Sequence, residues 1–308
     1  MTHINWPGVQ RVLIVKLRSI GDTVLTTPSL IALKRFLPDA QIDILLEDQV
    51  APVLAGFDAV DNVIVTGKSS TGRLRTALDL RSRKYDVAFN LHGGTTATFF
   101  TAASVAKHRV GFQDYQYSFL YNHLLSSASD FWGTDKTHSA EQQLALLGFV
   151  GVPVDDRPKS RLVVTASAIR SIDEKLSSLI PHASPLALLH PASLFFTKQW
   201  PAEHFARTAE YLAENGFHTV AVASGREREV LENLKRESKA PITIFEDLTL
   251  PEITALASKA KPFVGNDSGI AHIAAAVNTP SVVVFGSSNR DHWRPWTDAP
   301  NWRWHGGR

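Results

Sequence analysis

"RVLIVKLRSIGDTVLTTPSL", residues 11–30, passes from an almost wholly apolar run through a polar turn into a stretch with helical spacing. A short run rich in Val, Ile and Leu, closed by turn residues, reads as a strand buried on both faces. The segment after it predicts a helix over 22–36. A buried strand that feeds a helix is the repeating unit of a parallel sheet with crossover connections. Asp22, directly after a glycine at the carboxyl end of that strand, is a carboxylate whose position needs a reason.

Working outward, the unit recurs. The first half continues with strands at "QIDILL" and "NVIVT", a helix over 72–83, and strands at "YDVAFNL" and "HRVGF". After a stretch containing "GVPVDDRPKS" the pattern restarts: "PLALLHP", helix 202–214, "FHTVAVAS", helix 226–237, "PITIF", helix 251–259, "KPFVGN", helix 268–277 and "PSVVVFG". Two alternating arrays with a Pro- and Asp-containing joint near 152–160 predict an α/β protein of two facing, doubly wound domains, 1–157 and 158–308. In such sheets ligands bind beyond the carboxyl ends of the strands, so the loops there are where chemistry is expected.

Composition narrows the chemistry. The 308 residues carry 32 Lys+Arg against 30 Asp+Glu, a net charge of +2, far below that of a dedicated nucleic-acid binder. The absence of cysteine removes disulfides and thiolate metal sites and fits a reducing cytosol. No apolar run approaches the roughly 20 residues of a membrane span, and "MTHINWPGVQ" lacks the pattern of a signal peptide. A soluble intracellular protein is expected. No G-x-G-x-x-G and no G-x-x-x-x-G-K-[ST] follows a strand, which counts against a standard dinucleotide fold and a P-loop NTPase. There is no D-x-D pair to bridge a metal ion to a diphosphate.

Three loops stand out. In "KPFVGNDSGIAHIAAA", residues 261–276, a buried strand meets Asn266, Asp267, Ser268 and Gly269 at the start of a helix of small residues. Exposed helix-start amides, with glycine permitting close approach, suit a phosphate or diphosphate; alternatively Asp267 or Ser268 is simply the helix cap. His272 lies one turn further on. In "HPASLFFTKQWPAEHF", residues 190–205, Lys198 precedes a helix opened by Pro201. It is either a mobile charge for phosphates or a solvated loop lysine; Ser193 is either a phosphate donor or a turn residue. In "ASGREREV", Glu227 reads as a ribose acceptor or a surface helix charge.

In the first half, Arg73, Arg75, Arg81, Arg83 and Lys84 gather on or beside one helix, whose buried stripe is predicted at Leu74, Ala77 and Leu78. "GFQDYQYSFLYNHLL", residues 111–125, alternates aromatic residues and predicts a half-buried strand. His92 in "LHGG" ends a strand beside two glycines and is a candidate acceptor contact. Asp22 is open between two roles, helix N-cap and catalytic carboxylate.

"VLIVKLRSIGDTVLTTPSLIALKRFLPDAQIDIL", "HPAS", "TKQWPAEHFA" and "FVGNDSGIAHIAAAVNTPSVVVFGSS", in this order, resemble the heptosyltransferases of glycosyltransferase family 9. The resemblance implies two Rossmann-like domains in the GT-B arrangement, acceptor on the first and nucleotide sugar on the second. It implies inverting, metal-independent transfer of heptose from ADP-heptose to a lipopolysaccharide core or related surface glycan, with no cofactor. Carried over by residue, Asp22 is the general base; Lys198, assisted by Ser193, meets the donor phosphates; Ser268 and Gly269 hold the diphosphate. Asp267 contacts the sugar hydroxyls, Glu227 approaches the nucleoside, and His272 belongs to the donor loop. His92 and Arg73 are the acceptor-side candidates. The expected partners are a nucleotide sugar and a lipid-linked oligosaccharide, without nucleic acid, on a cytoplasmic monomer with peripheral contact at the inner membrane. Two other readings stay open: a sugar-nucleotide epimerase on the same architecture, and a non-catalytic sugar-nucleotide-binding protein. The chain ends at "WRPWTDAPNWRWHGGR", where the resemblance implies further helices, so the second domain is expected to be short at its end.

Overall fold

The structure, a computed structural model, describes residues 4–177, 179, 184–298 and the backbone of 303–306. The chain divides into two compact units, Met1–Lys159 and Ser160–Arg308.

In chain order the first unit contains β1 (Arg11–Val15), α1 (Ile20–Val24), α2 (Thr27–Phe36), β2 (Gln41–Glu47), β3 (Asn62–Thr66), α3 (Ser70–Ser82) and β4 (Val87–Asn90). It continues with α4 (Gly94–Ala103), β5 (His108–Phe112), β6 (His123–Leu125), α5 (Ala128–Trp132) and α6 (Ser139–Phe149). The second unit contains α7 (Ala166–Ser177), β7 (Leu186–His190), α8 (Ala202–Glu214), β8 (His218–Val222), α9 (Arg228–Glu237) and β9 (Ile242–Phe245). It ends with α10 (Leu250–Lys259), β10 (Ala260–Asn266), α11 (Gly269–Ala276), β11 (Ser281–Phe285), α12 (Arg290–Trp293) and β12 (Arg303–Gly306).

The two sheets have one topology. The first orders its strands β3-β2-β1-β4-β5-β6 and the second β9-β8-β7-β10-β11-β12, all parallel. Strand order therefore reverses between β1 and β4 in one unit and between β7 and β10 in the other. At such a switch point the neighbouring crossovers leave in opposite directions, and a ligand crevice opens at the carboxyl ends of the two central strands. The central strands are apolar on both faces: Val12, Leu13, Ile14 and Val15 are fully buried, as double coverage by helices requires.

Three sequence expectations change. The helix predicted over 22–36 is two helices, α1 and α2, interrupted at Leu25 and Thr26; Pro28 sits in the opening turn of α2, where its missing N–H costs nothing. Residues 111–125 are not one strand. Gly111 has no side chain, and the space is taken by Tyr121 and Tyr115, which fold back over β5; a Cβ at Gly111 would lie 2.8 Å from Tyr121. Tyr121 is held by Asn90 and Thr98, and Tyr117 turns the chain with φ of 63°. The aromatic spacing reflects tucked rings rather than a pleat. On α3 the buried line is Thr76, Ala77 and Leu80, while Leu74 and Leu78 are 58% and 61% exposed. Leu80 and Ala77 reach the core cluster with Ile64 and Phe100, which fixes the helix one position round from the predicted stripe.

Candidate active and donor-binding sites

In the first unit the chemistry gathers at the ends of β1 and β4. Lys16, the residue after β1, is 4% exposed. Its ammonium donates to the Leu91 carbonyl at 3.0 Å and to Asp22 Oδ1 at 3.3 Å. Asp22 is the third residue of α1 and not its N-cap, a position held by Ser19. The capping role is thus removed, and the carboxylate, its side chain 25% exposed, looks back to Lys16. Its place in the first helical turn also favours the anionic form.

His92 follows β4 and lies within electrostatic reach of Lys16, Asp22 and Arg18. Burial pushes its pKa down to about 4, and the positive charges of Lys16 and Arg18 act in the same direction against Asp22. The imidazole is therefore neutral at pH 7. Its loop is fixed from below: the His92 and Gly93 amides donate to Asn90 Oδ1 at 3.0 and 2.9 Å, and Gly93 adopts φ of 75°. Arg73, in the first turn of α3, makes no side-chain hydrogen bond or ion pair among the described residues.

In the second unit the loops after β7 and β10 are brought together. Lys198 Nζ lies 2.8 Å from Asp267 Oδ2, which also accepts from Ser288 Oγ at 2.5 Å. Lys198 is thus not a solvated loop lysine. Asn266, fully buried, donates to the Pro191 carbonyl at 2.7 Å and accepts from the Trp200 amide at 2.9 Å. One amide side chain thereby pins the Lys198 loop to the end of β10. Glycines set the spacing: a Cβ on Gly265 would meet the Phe263 ring at 2.6 Å, and one on Gly286 would meet the Thr197 carbonyl at 2.3 Å.

Ser268 is the N-cap residue of α11 but makes no side-chain cap bond; its buried Oγ has no hydrogen-bond partner among the described residues. Asp267 does not cap the helix either, since its carboxylate is turned to Lys198. The free amides of the first turn from Gly269, a bare hydroxyl and a lysine thus converge on one small region. Ser193 is buried in the same loop as Lys198, its carbonyl accepting from Gln199. His272 is buried within α11. Glu227 stands apart at the end of β8, where its carboxylate accepts from the Ser224 amide and hydroxyl at 3.1 and 2.7 Å. Among the described residues no group of three or more His, Asp or Glu is arranged to hold a metal ion, and no helix is long and apolar enough to cross a membrane.

Sequence reading missed Lys16, Asn266 and Ser288. Lys16 had a signal, a lone charge closing an apolar strand run. Asn266, read only as one of the polar residues before the helix, closes β10, and Ser288 lies just past β11.

A family model described as glycosyltransferase family 9 (heptosyltransferase) matches residues 73–305. The chain belongs to this family. Within glycosyltransferase family 9, lipopolysaccharide heptosyltransferase 3 of Escherichia coli is 28% identical over 306 residues, covering 92% of this chain and 85% of the relative. A family 9 glycosyl transferase from Veillonella parvula superposes with a TM-score of 0.88 at 21% identity, covering 97% of this chain and 86% of that one. Escherichia coli heptosyltransferase WaaC with ADP gives 0.76 at 21% identity, covering 97% and 94%. The two-unit Rossmann-like fold is thus that of the family's solved structures.

Proposed function

We propose that this family 9 glycosyltransferase moves heptose from ADP-heptose to a lipopolysaccharide core sugar or related surface glycan, with inversion and without a metal ion. The observation that carries the reading is the donor half-site: Lys198, the unpartnered Ser268 hydroxyl and the first amides of α11 at the switch point of the second sheet. A diphosphate there gains charge-assisted bonds in place of a lone buried hydroxyl. The relative solved with ADP supports the choice of nucleotide. Asp267 would take sugar hydroxyls, Ser193 and His272 would line the donor loop, and Glu227 would approach the nucleoside.

In the first unit Asp22 acts as general base. The acceptor hydroxyl attacks the anomeric carbon, its proton passes to the Asp22 carboxylate, and the bond to the diphosphate oxygen breaks with its electron pair leaving on ADP. Neutral His92 hydrogen-bonds the acceptor sugar, and Arg73 meets an anionic group of the acceptor. The leaving charge falls on Lys198 and the helix amides, which do the work a divalent ion does elsewhere.

Addition of ADP in the presence of EDTA should raise the Tm; at a concentration 100-fold above Kd the linkage is about 2.7 kcal/mol, a shift of several degrees. A shift that appears only with added magnesium would overturn the metal-free scheme.

A further inference from the structure

An ammonium taken out of water costs several kcal/mol unless its partners replace hydration, and the residues before Lys16 in β1, Val12 to Val15, are apolar and fully buried. Lys16 nevertheless ends that run, buried, with its pKa lowered by burial against the pull of Asp22. Its two acceptors are informative. Leu91, whose carbonyl it takes at 3.0 Å, immediately precedes His92, and Asp22 Oδ1 is the other at 3.3 Å. One side chain therefore joins the base loop after β1 to the turn after β4, across the switch point of the first sheet.

We infer that Lys16 is a positioning residue for the transfer reaction: its ammonium keeps the Asp22 carboxylate ionised and oriented, and fixes the His92 turn beside it. The inference rests on the reading of Asp22 as base. A positive charge this close to a carboxylate favours the ionised form, and the contact to Oδ1 orients the carboxylate. When Asp22 takes the acceptor proton, the ammonium retains the Leu91 carbonyl, so its charge is not left without a partner. Arg18, from the loop after β1, and His92, neutral at pH 7, also lie within electrostatic reach of the pair.

The test is the pH dependence of kcat for the full chain, with ADP-heptose and a heptose-deficient lipopolysaccharide as substrates. Lys16→Met removes the charge at nearly constant volume, and Lys16→Gln keeps a donor. Expected for Lys16→Met is a fall in kcat of about 10- to 100-fold, as for loss of other groups that orient a catalytic ligand. Donor KM should change little, because the lost interaction belongs to the transition state. The acid limb of the profile should move up by about one pH unit in both variants, with a smaller kcat loss in Lys16→Gln. On an Asp22→Asn background, Lys16→Met should cost less than it does in the wild type, because only its hold on the His92 turn is then lost. An acid limb that stays in place in both variants overturns the inference even if kcat falls, since a merely structural lysine would behave that way. If Lys16→Met fails to fold, Lys16→Gln decides alone. Failure of the base reading looks different: the wild type lacks acceptor-dependent ADP release, or Asp22→Asn keeps most of its turnover, and either result removes both assignments before a lysine variant is made.

Discussion

A lysine stands against an aspartate at the switch point of each sheet, Lys16 with Asp22 and Lys198 with Asp267, and their surroundings divide the work. Lys16 is buried beneath its carboxylate and already holds a backbone carbonyl, so it is fixed. Lys198 arrives on a loop and meets an aspartate already served by Ser288, so it can give part of its bonding to a ligand. Asp22→Asn keeps an oxygen for Lys16 and removes only the basicity. Turnover should fall more than about 100-fold with the melting curve nearly unchanged; a steady-state rate and a thermal melt on one preparation check both halves. Lys198→Ala should weaken ADP about 10- to 100-fold, the range for a hydrogen bond to a charged group, read as a smaller ADP-induced rise in Tm.

At the scale of elements, the alternation of apolar runs and helical periods made β1 to β5 and β7 to β11 legible within a residue or two, because strands of a parallel sheet are short runs rich in Val, Ile and Leu closed by turn residues. The helices α4, α6 and α7 were not read. Residues 94–103, "GTTATFFTAA", open on glycine and carry threonines of poor helix propensity, and tertiary packing of Ala97 and Phe100 overrides that preference. Loop chemistry was half legible. Asp22, His92, Lys198 and Ser268 lie just past strands, where topology directs attention, but that Lys198 and Asp267 touch depends on Gly286 and Asn266, which no local pattern discloses. Gly286→Ala should drive the Thr197 carbonyl and with it Lys198 out of place, abolishing the ADP-induced shift while the far-UV circular dichroism stays native.

The strand pair β5 and β6 carries a different dependence. His108 Nδ1 and His123 Nε2 lie 2.9 Å apart and buried, a contact that admits one proton. Burial lowers both pKa values, and Lys107 acts the same way on His108 against Asp86; His92 is lowered as well. Above about pH 6.5 these groups are neutral in folded and unfolded chains alike. Below it the unfolded chain takes up protons the folded one refuses, so stability falls as pH drops from about 6.5 toward the folded values. Thermal melts from pH 7.5 to 5 should show this fall, and His123→Gln should flatten it; parallel curves would contradict the account.

Over the whole molecule, one topology is used twice, and each copy presents its polar residues at the same topological place, the ends of the two strands that flank the reversal. That repetition, and not any single motif, made the architecture readable from sequence. The family match begins at residue 73 and so leaves out Asp22, whose proposed role as base comes from the resemblance of the first loop and is supported by the Lys16 contact and by its position after β1. The most direct measurement is release of ADP from ADP-heptose, with and without a heptose-deficient lipopolysaccharide acceptor, for the wild type and Asp22→Asn side by side. Release that depends on the acceptor and is lost in the variant is the predicted result; release without acceptor dependence, or a variant as fast as the wild type, would contradict it.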